Sequence, residues 1–181
     1  MWAGVVVLIL AVSGTLVSFS AMQLENRDAF CASCHSEPES TYFARSTAAS
    51  VVDLASFHTT KKTRCIDCHD GSGLFGRPAA LLLGGRDLLA WISHTAHQPA
   101  PQTRPISDGT CVKCHQTLYQ SQDFNNHFHL FLSRWQAVDP KAGRCVSCHE
   151  AHTTDVDATI GYLNQQRTVL VCQACHAVLQ Q

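Results

Sequence analysis

The residues able to do chemistry come in five copies of one pattern. C-x-x-C-H occurs at Cys31-Cys34-His35, Cys65-Cys68-His69, Cys111-Cys114-His115, Cys145-Cys148-His149 and Cys172-Cys175-His176. This is the attachment signature of a c-type haem. On a helical turn, positions i, i+3 and i+4 share a face. Two thioethers can therefore grip a porphyrin edge while the histidine reaches the iron. The five motifs consume all 10 cysteines, so none is left for a disulfide. Zinc also uses C-x-x-C pairs, but structural zinc does not need a histidine directly after every second cysteine. A disulfide scaffold fits five identical units poorly. The sequence therefore predicts five covalently bound haems.

Each iron has a second axial position. Of 11 histidines, five stand in motifs, leaving His58, His94, His97, His127, His129 and His152. The only methionines are Met1 and Met22. Methionine ligation raises a haem potential relative to histidine, and this chain has little methionine to offer. Six spare histidines for five irons predict mostly bis-His, six-coordinate, low-potential haems. Histidines placed only at surfaces or helix ends are the alternative. The first motif is the hardest to complete, because no Met or His follows it within ten residues. His94 or His97 is its leading ligand, with Glu37 or an open position as the fallback.

These sites must be carried by something, and the chain begins with an apolar run. Residues 2–22 carry no charge, and about 20 such residues cross a bilayer core. A cleaved signal peptide would have a charged n-region and a shorter apolar stretch. The expectation is an uncleaved signal-anchor over residues 1–24. The hydroxyls of Ser13, Thr15, Ser18 and Ser20 can return to helix carbonyls, and Gly4 and Gly14 permit close helix packing. No Lys or Arg precedes the span, so charge says little about orientation. Haem is attached outside the cytoplasmic membrane in bacteria. That places the remaining chain on the periplasmic or outer side of a single-pass bacterial membrane protein. A formal net charge of −1 says little about partners; other redox subunits are expected, and nucleic acid is not.

The rest, residues 25–181, is expected to be one haem-packed domain, mainly α with long loops. Helices are predicted at 78–97, 118–137 and 160–176. The Pro-rich stretch 97–109 is the best internal boundary. The first cysteines of the motifs are spaced 34, 46, 34 and 27 residues apart. The repeated 34 points to one dihaem module over 25–97, another over 110–152, and a fifth-haem extension over 153–181. Within 78–97, Leu81, Leu82, Leu88, Leu89 and Trp91 either meet the membrane interface or cover haem faces.

One anchor with "CASCH" close behind it, then "CIDCH", "CVKCH" and "CVSCH", resembles the membrane-anchored quinol dehydrogenases of the NapC/NirT/NrfH family. The likeness runs from about Met1 to His152, through "ENRDAFCASCH", "SFHTTKKTRCIDCH" and "CVSCHEAH". Members are tetrahaem cytochromes that carry electrons from membrane quinol to periplasmic reductases. The resemblance implies distal-ligand roles for His58, for His152, and for either His127 or His129. It also implies a quinol pocket at the first haem, built from acidic and basic residues after the second motif. Asp87 and Arg86 are the candidates, ahead of Lys61 and Lys62. Two departures stand out: Glu37 occupies a position where the family often has Met, and "VCQACH" adds a fifth motif.

Two rival functions are separable from this reading. A nitrite- or hydroxylamine-type enzyme needs an open haem position, and the related pentahaem enzymes carry C-x-x-C-K, which is missing here. An electron-conduit subunit of a larger respiratory or photosynthetic complex would have no quinol site of its own. At most, the chain is the quinol-oxidising electron-transfer subunit of an oxidoreductase.

Overall fold

A computed structural model describes residues 2–34, 37–99, 105–138 and 143–177. His35, the proximal histidine of the first motif, lies outside the described residues, as does much of the Pro-rich boundary. The described chain is helical, and its only β pairing is an isolated bridge between Asp157 and Leu163. Mainly-α with long loops is therefore the architecture observed.

Helix α1, Trp2–Glu25, contains the apolar run. It is long and apolar enough to cross a membrane, and none of it is buried against the rest of the chain. Thr15 Oγ1–H donates to the Ala11 carbonyl at 2.8 Å, so this hydroxyl needs no water within a lipid core.

Among the described residues, nine further helices follow. α2 spans Asp28–Cys34, α3 Glu39–Ser46, α4 Leu54–Thr60 and α5 Cys65–His69. α6 spans Gly76–Ile92, α7 Asp108–Tyr119, α8 His127–Val138, α9 Cys145–Cys148 and α10 Gln165–Ala177. The second to fifth motifs start or lie within α5, α7, α9 and α10, and the cysteines of the first are in α2. A turn of helix at each motif is what the i, i+3, i+4 chemistry requires.

Two expected boundaries are corrected. The helix expected over 78–97 ends at Ile92, and His94 takes a left-handed conformation with φ +57°. His94 and His97 therefore do not share a helical face. The "SHTAHQP" sequence offers no continuing apolar register, and its Pro99 disfavours helix in the residue before it. The helix expected over 118–137 is split. α7 stops at Tyr119, and α8 begins at His127 after a short 3-10 turn capped by the Asp123 carboxylate. Local capping by Ser121 and Asp123 outcompetes helix continuation there.

The protein's own apolar core is small. Among the described residues, Leu132 (2 % exposed) and Cys148 (7 %) are the buried apolar side chains. Leu132 sits on α8 in a cluster with Phe128, Phe131 and Trp135, whose rings meet at 5.5–5.9 Å. Buried polar groups hold the loops. Asp53 caps α4 by accepting from the Ser56 N–H at 2.7 Å, while the Asp53 N–H donates to Ser56 Oγ. Asn164 caps α10 by accepting from the Arg167 N–H at 3.0 Å.

Candidate haem-binding site

The motif helices are joined in chain order. Cys31 lies beside Cys65, and Cys111 beside Cys145. Between free thiols this contact lowers the pKa of the first member of each pair and raises that of the second. Asp28 Oδ1 accepts from the Cys65 N–H at 2.9 Å, and Asp108 Oδ1 from the Cys145 N–H at 2.8 Å. Arg64 and Arg144 precede the two receiving helices, and each donates its backbone N–H to the side chain three residues on, Asp67 and Ser147. Every member of the second set lies 80 positions after its counterpart. The repeated spacing of 34 is therefore matched by a repeated three-dimensional unit. Both units use a carboxylate at the start of one motif helix to cap the other.

Between the two units, Lys113 Nζ bridges Asp70 Oδ1 at 2.6 Å and the Gly71 carbonyl at 2.9 Å. Beyond the second unit, the Asn164 N–H donates to the Cys148 carbonyl, and Arg167 pairs with Glu150. These contacts set the second motif beside the third, and the fourth beside the fifth.

The histidines meet in pairs. His69 and His152 have ring centroids 6.2 Å apart with planes 16° from parallel. His129 and His149 stand 6.3 Å apart at 24°, and His58 and His115 stand 6.0 Å apart at 84°. A metal–imidazole bond is about 2.1 Å and the nitrogen lies roughly 1.1 Å from its ring centre, so rings on opposite sides of one ion sit about 6 Å apart. All three pairs have that separation. Each joins a motif histidine to a spare one, and two of the three bring together distant parts of the chain.

The rings are oriented from behind. His58 Nδ1–H donates to the Leu54 carbonyl at 2.9 Å, and His149 Nδ1–H to the Gly161 carbonyl at 2.8 Å. His129 Nδ1 is held by Asn126 Oδ1 at 2.7 Å. A fixed Nδ1–H leaves Nε2 as the free donor, the usual outer-shell arrangement of a metal-bound imidazole. His152 is placed differently. Tyr42 stacks on its outer face at 4.0 Å and 7°, and Arg45 donates to its backbone carbonyl at 2.8 Å. Burial, reinforced by neighbouring His69, lowers the His152 pKa to about 4. Burial and then His149 lower that of His129. Both shifts favour the neutral ring, the form a metal ligand needs.

The donor set fits haem. Among the described residues, no three or more His, Cys, Asp or Glu side chains converge as a bare metal ion would require. An iron held between two such imidazoles would leave its other positions to a macrocycle, which haem would supply. A chain that buries few apolar side chains of its own also has apolar walls to give to porphyrin faces.

The remaining candidates are dispersed. His94 lies just beyond α6 and, with Trp91, Ala96 and Gln98, lines a cavity of about 310 Å³. Gln98 Oε1 accepts from the Glu37 N–H at 3.4 Å, so this segment abuts the exit of the first motif. The Glu37 carboxylate itself accepts from Ser40 and Thr41, both at 2.8 Å, and is held below its usual range by them. His97, His127 and His176 are exposed. Arg86 and Asp87 are exposed on α6, with no ion pair or side-chain hydrogen bond among the described residues. Lys61 lies 5.4 Å over the Phe57 ring, and neighbouring Lys62 is exposed. Sequence reasoning overlooked Asp28, Asp108 and Tyr42. The aspartates had a signal, since D-x-x precedes the first cysteine in both "DAFC" and "DGTC".

No curated protein and no solved structure matches this chain. The family model of the doubled CXXCH motif matches residues 139–181, which hold the fourth and fifth motifs. That match indicates a multihaem c-type cytochrome, with haem bound covalently through C-x-x-C-H and electron transfer as its role.

Proposed function

We propose that the protein is a membrane-anchored pentahaem cytochrome that moves electrons between membrane quinol and a periplasmic or extracellular redox partner. The observation that carries this reading is the set of three imidazole pairs along a chain of motifs whose spatial order follows the sequence. His69 with His152, His115 with His58, and His149 with His129 would hold the second, third and fourth irons. Haem supplies the one-electron carrier, and the protein sets each potential through axial ligand, hydrogen bonding and burial.

The quinol end is supported by position. The cavity of Trp91, His94, Ala96 and Gln98 opens beside Glu37, and α2 begins three residues after the end of α1. A site for quinol oxidation needs access from lipid, a nearby haem and a proton acceptor. Asp87 is assigned the acceptor role and Arg86 a binding role, with His94 or His97 as the first iron's distal ligand. The membrane side follows from the single anchor and from haem attachment outside the cytoplasm.

A reduced quinol should turn the purified protein ferrous in stopped-flow absorbance, and a quinol-site inhibitor should block that step. Absence of reduction by any quinol leaves the conduit-subunit reading. That alternative is supported by α1 itself, whose Gly4 and Gly14 have open space where a partner helix could pack. An Asp87→Asn variant with normal turnover removes Asp87 from the mechanism.

A further inference from the structure

We propose that α6 lies flat on the bilayer surface beside the anchor and forms a second, monotopic membrane contact. The inference rests on the reading of α1 as the membrane span. It begins with an ion pair: Arg77, in the first turn of α6, pairs with Glu25, the last residue of α1. Glu25 also lies over Gly84, where a Cβ would stand 3.9 Å from its Oε1. Arg77 and Gly84 are seven positions apart, two helical turns along one line of α6. That line faces the end of the anchor.

The helical wheel then fixes what faces elsewhere. At about 100° per residue, Leu88, Leu81, Ile92, Leu89 and Leu82 fall in one sector. Its centre is roughly 80° round from the line that faces Glu25. A helix lying beside the emerging end of a perpendicular span presents that quadrant to the lipid. Leu82 is 77 % exposed, Leu89 68 % and Ile92 58 %. No charged residue falls within the sector. On the opposite quadrant lie Ala80 and Leu83, both partly covered by the protein, and the exposed Asp87. Trp91 stands near the line facing the anchor, at the depth where indoles favour the headgroup region.

The occupant is a lipid surface because the patch continues one that already faces lipid. α1 exposes its apolar side chains along its whole length, and the exposed sector of α6 adjoins its end. Isolated exposed leucines need no explanation, but a contiguous apolar sector on one helix does. A haem face is the other occupant such a sector could take, and the experiment separates the two.

Single cysteines are introduced into the full-length haem-loaded protein in lipid nanodiscs: Leu82→Cys, Leu89→Cys, Leu10→Cys in α1, and Phe124→Cys as an exposed aqueous reference. Each is treated with a charged, membrane-impermeant maleimide and with a lipid-soluble one, and modification is read at the labelled peptide by mass spectrometry. A charged reagent is excluded from an apolar medium that the lipid-soluble one enters, so protected sites should react with the charged reagent, relative to the lipid-soluble one, at least roughly tenfold more slowly than Phe124→Cys. Expected are slow charged labelling and retained lipid-soluble labelling at Leu82→Cys and Leu89→Cys, as at Leu10→Cys. If Leu10→Cys is protected while Leu82→Cys and Leu89→Cys label like Phe124→Cys, the anchor stands and the proposal falls. Resistance of the α6 sites to both reagents assigns the sector to haem and also overturns it. Fast charged labelling of Leu10→Cys overturns the anchor reading and the proposal with it.

Discussion

His58→Met tests the imidazole pairing at its most distinctive point. The planes of His58 and His115 cross at 84°, whereas those of the other two pairs lie 16° and 24° from parallel. Parallel imidazoles split the two π-type d orbitals of low-spin ferric iron and give a rhombic EPR signal. Crossed imidazoles cancel that splitting and give a strongly anisotropic signal with its low-field feature moved to higher g. The oxidised protein should therefore show rhombic signals from the second and fourth haems and an anisotropic one from the third. His58→Met should abolish the anisotropic signal, one haem's worth of the integrated spin, and leave the rhombic signals intact. Because Met stabilises ferrous haem relative to His, that haem's potential should rise by on the order of 0.1 V within the roughly 0.8 V that axial ligands span. The structural cost should be small: one Nδ1–H bond to the Leu54 carbonyl, about 1 kcal/mol. Loss of a rhombic signal instead, or a parent protein without the anisotropic one, would refute the assignment of His58 to the third motif.

Three further outcomes follow from packing and capping. Among the described residues, Asp108 accepts from the Cys145 N–H and from Gln136 Nε2, and Asp28 from the Cys65 N–H with no such amide partner. Asp108→Ala should therefore cost about 2–4 kcal/mol and Asp28→Ala about 1–2, in denaturant unfolding of the haem-loaded protein; equal costs would contradict this. Leu132→Ala, at a site 2 % exposed, should lose about 2–5 kcal/mol by the same measurement. Gly71 has φ +78°, and a Cβ there would stand 2.7 Å from the Gly76 backbone. Gly71→Ala should thus cost more than about 1 kcal/mol and loosen the turn between α5 and α6, seen as faster hydrogen exchange at the start of α6.

Much of the site was legible because haem chemistry is local. C-x-x-C-H states its own geometry, and a census of six spare histidines against two methionines limits the second ligand. Asp28 and Asp108 stand at equivalent places in the two stretches that share the spacing of 34. The neighbours of particular histidines were not legible, since His152 is held in place by the distant Tyr42 and Arg45 of α3. Of His127 and His129, both at the start of α8, it is His129 that comes beside His149 among the described residues. Asn126 holds the ring of His129 toward His149, while His127 is exposed. The continuous helix over 118–137 failed because periodicity alone does not register caps such as Asp123. The extension of α6 to His97 failed for a similar local reason, the left-handed backbone at His94.

The motifs touch in chain order, but the imidazole pairs do not. His69 meets a ring 83 positions later, and His115 meets one 57 positions earlier. Under the proposed topology, the chain emerges from the anchor onward and can receive its haems one by one. Under the proposed pairing, the second iron would nevertheless wait for residue 152 to emerge before its sixth bond could form. Completion of an early carrier then reports that most of the chain has been delivered. A product truncated between the fourth motif and His152 would keep four haems yet display an unfinished second site. Under the proposed pairing, that makes the second haem a checkpoint on biosynthesis as well as a stage in conduction.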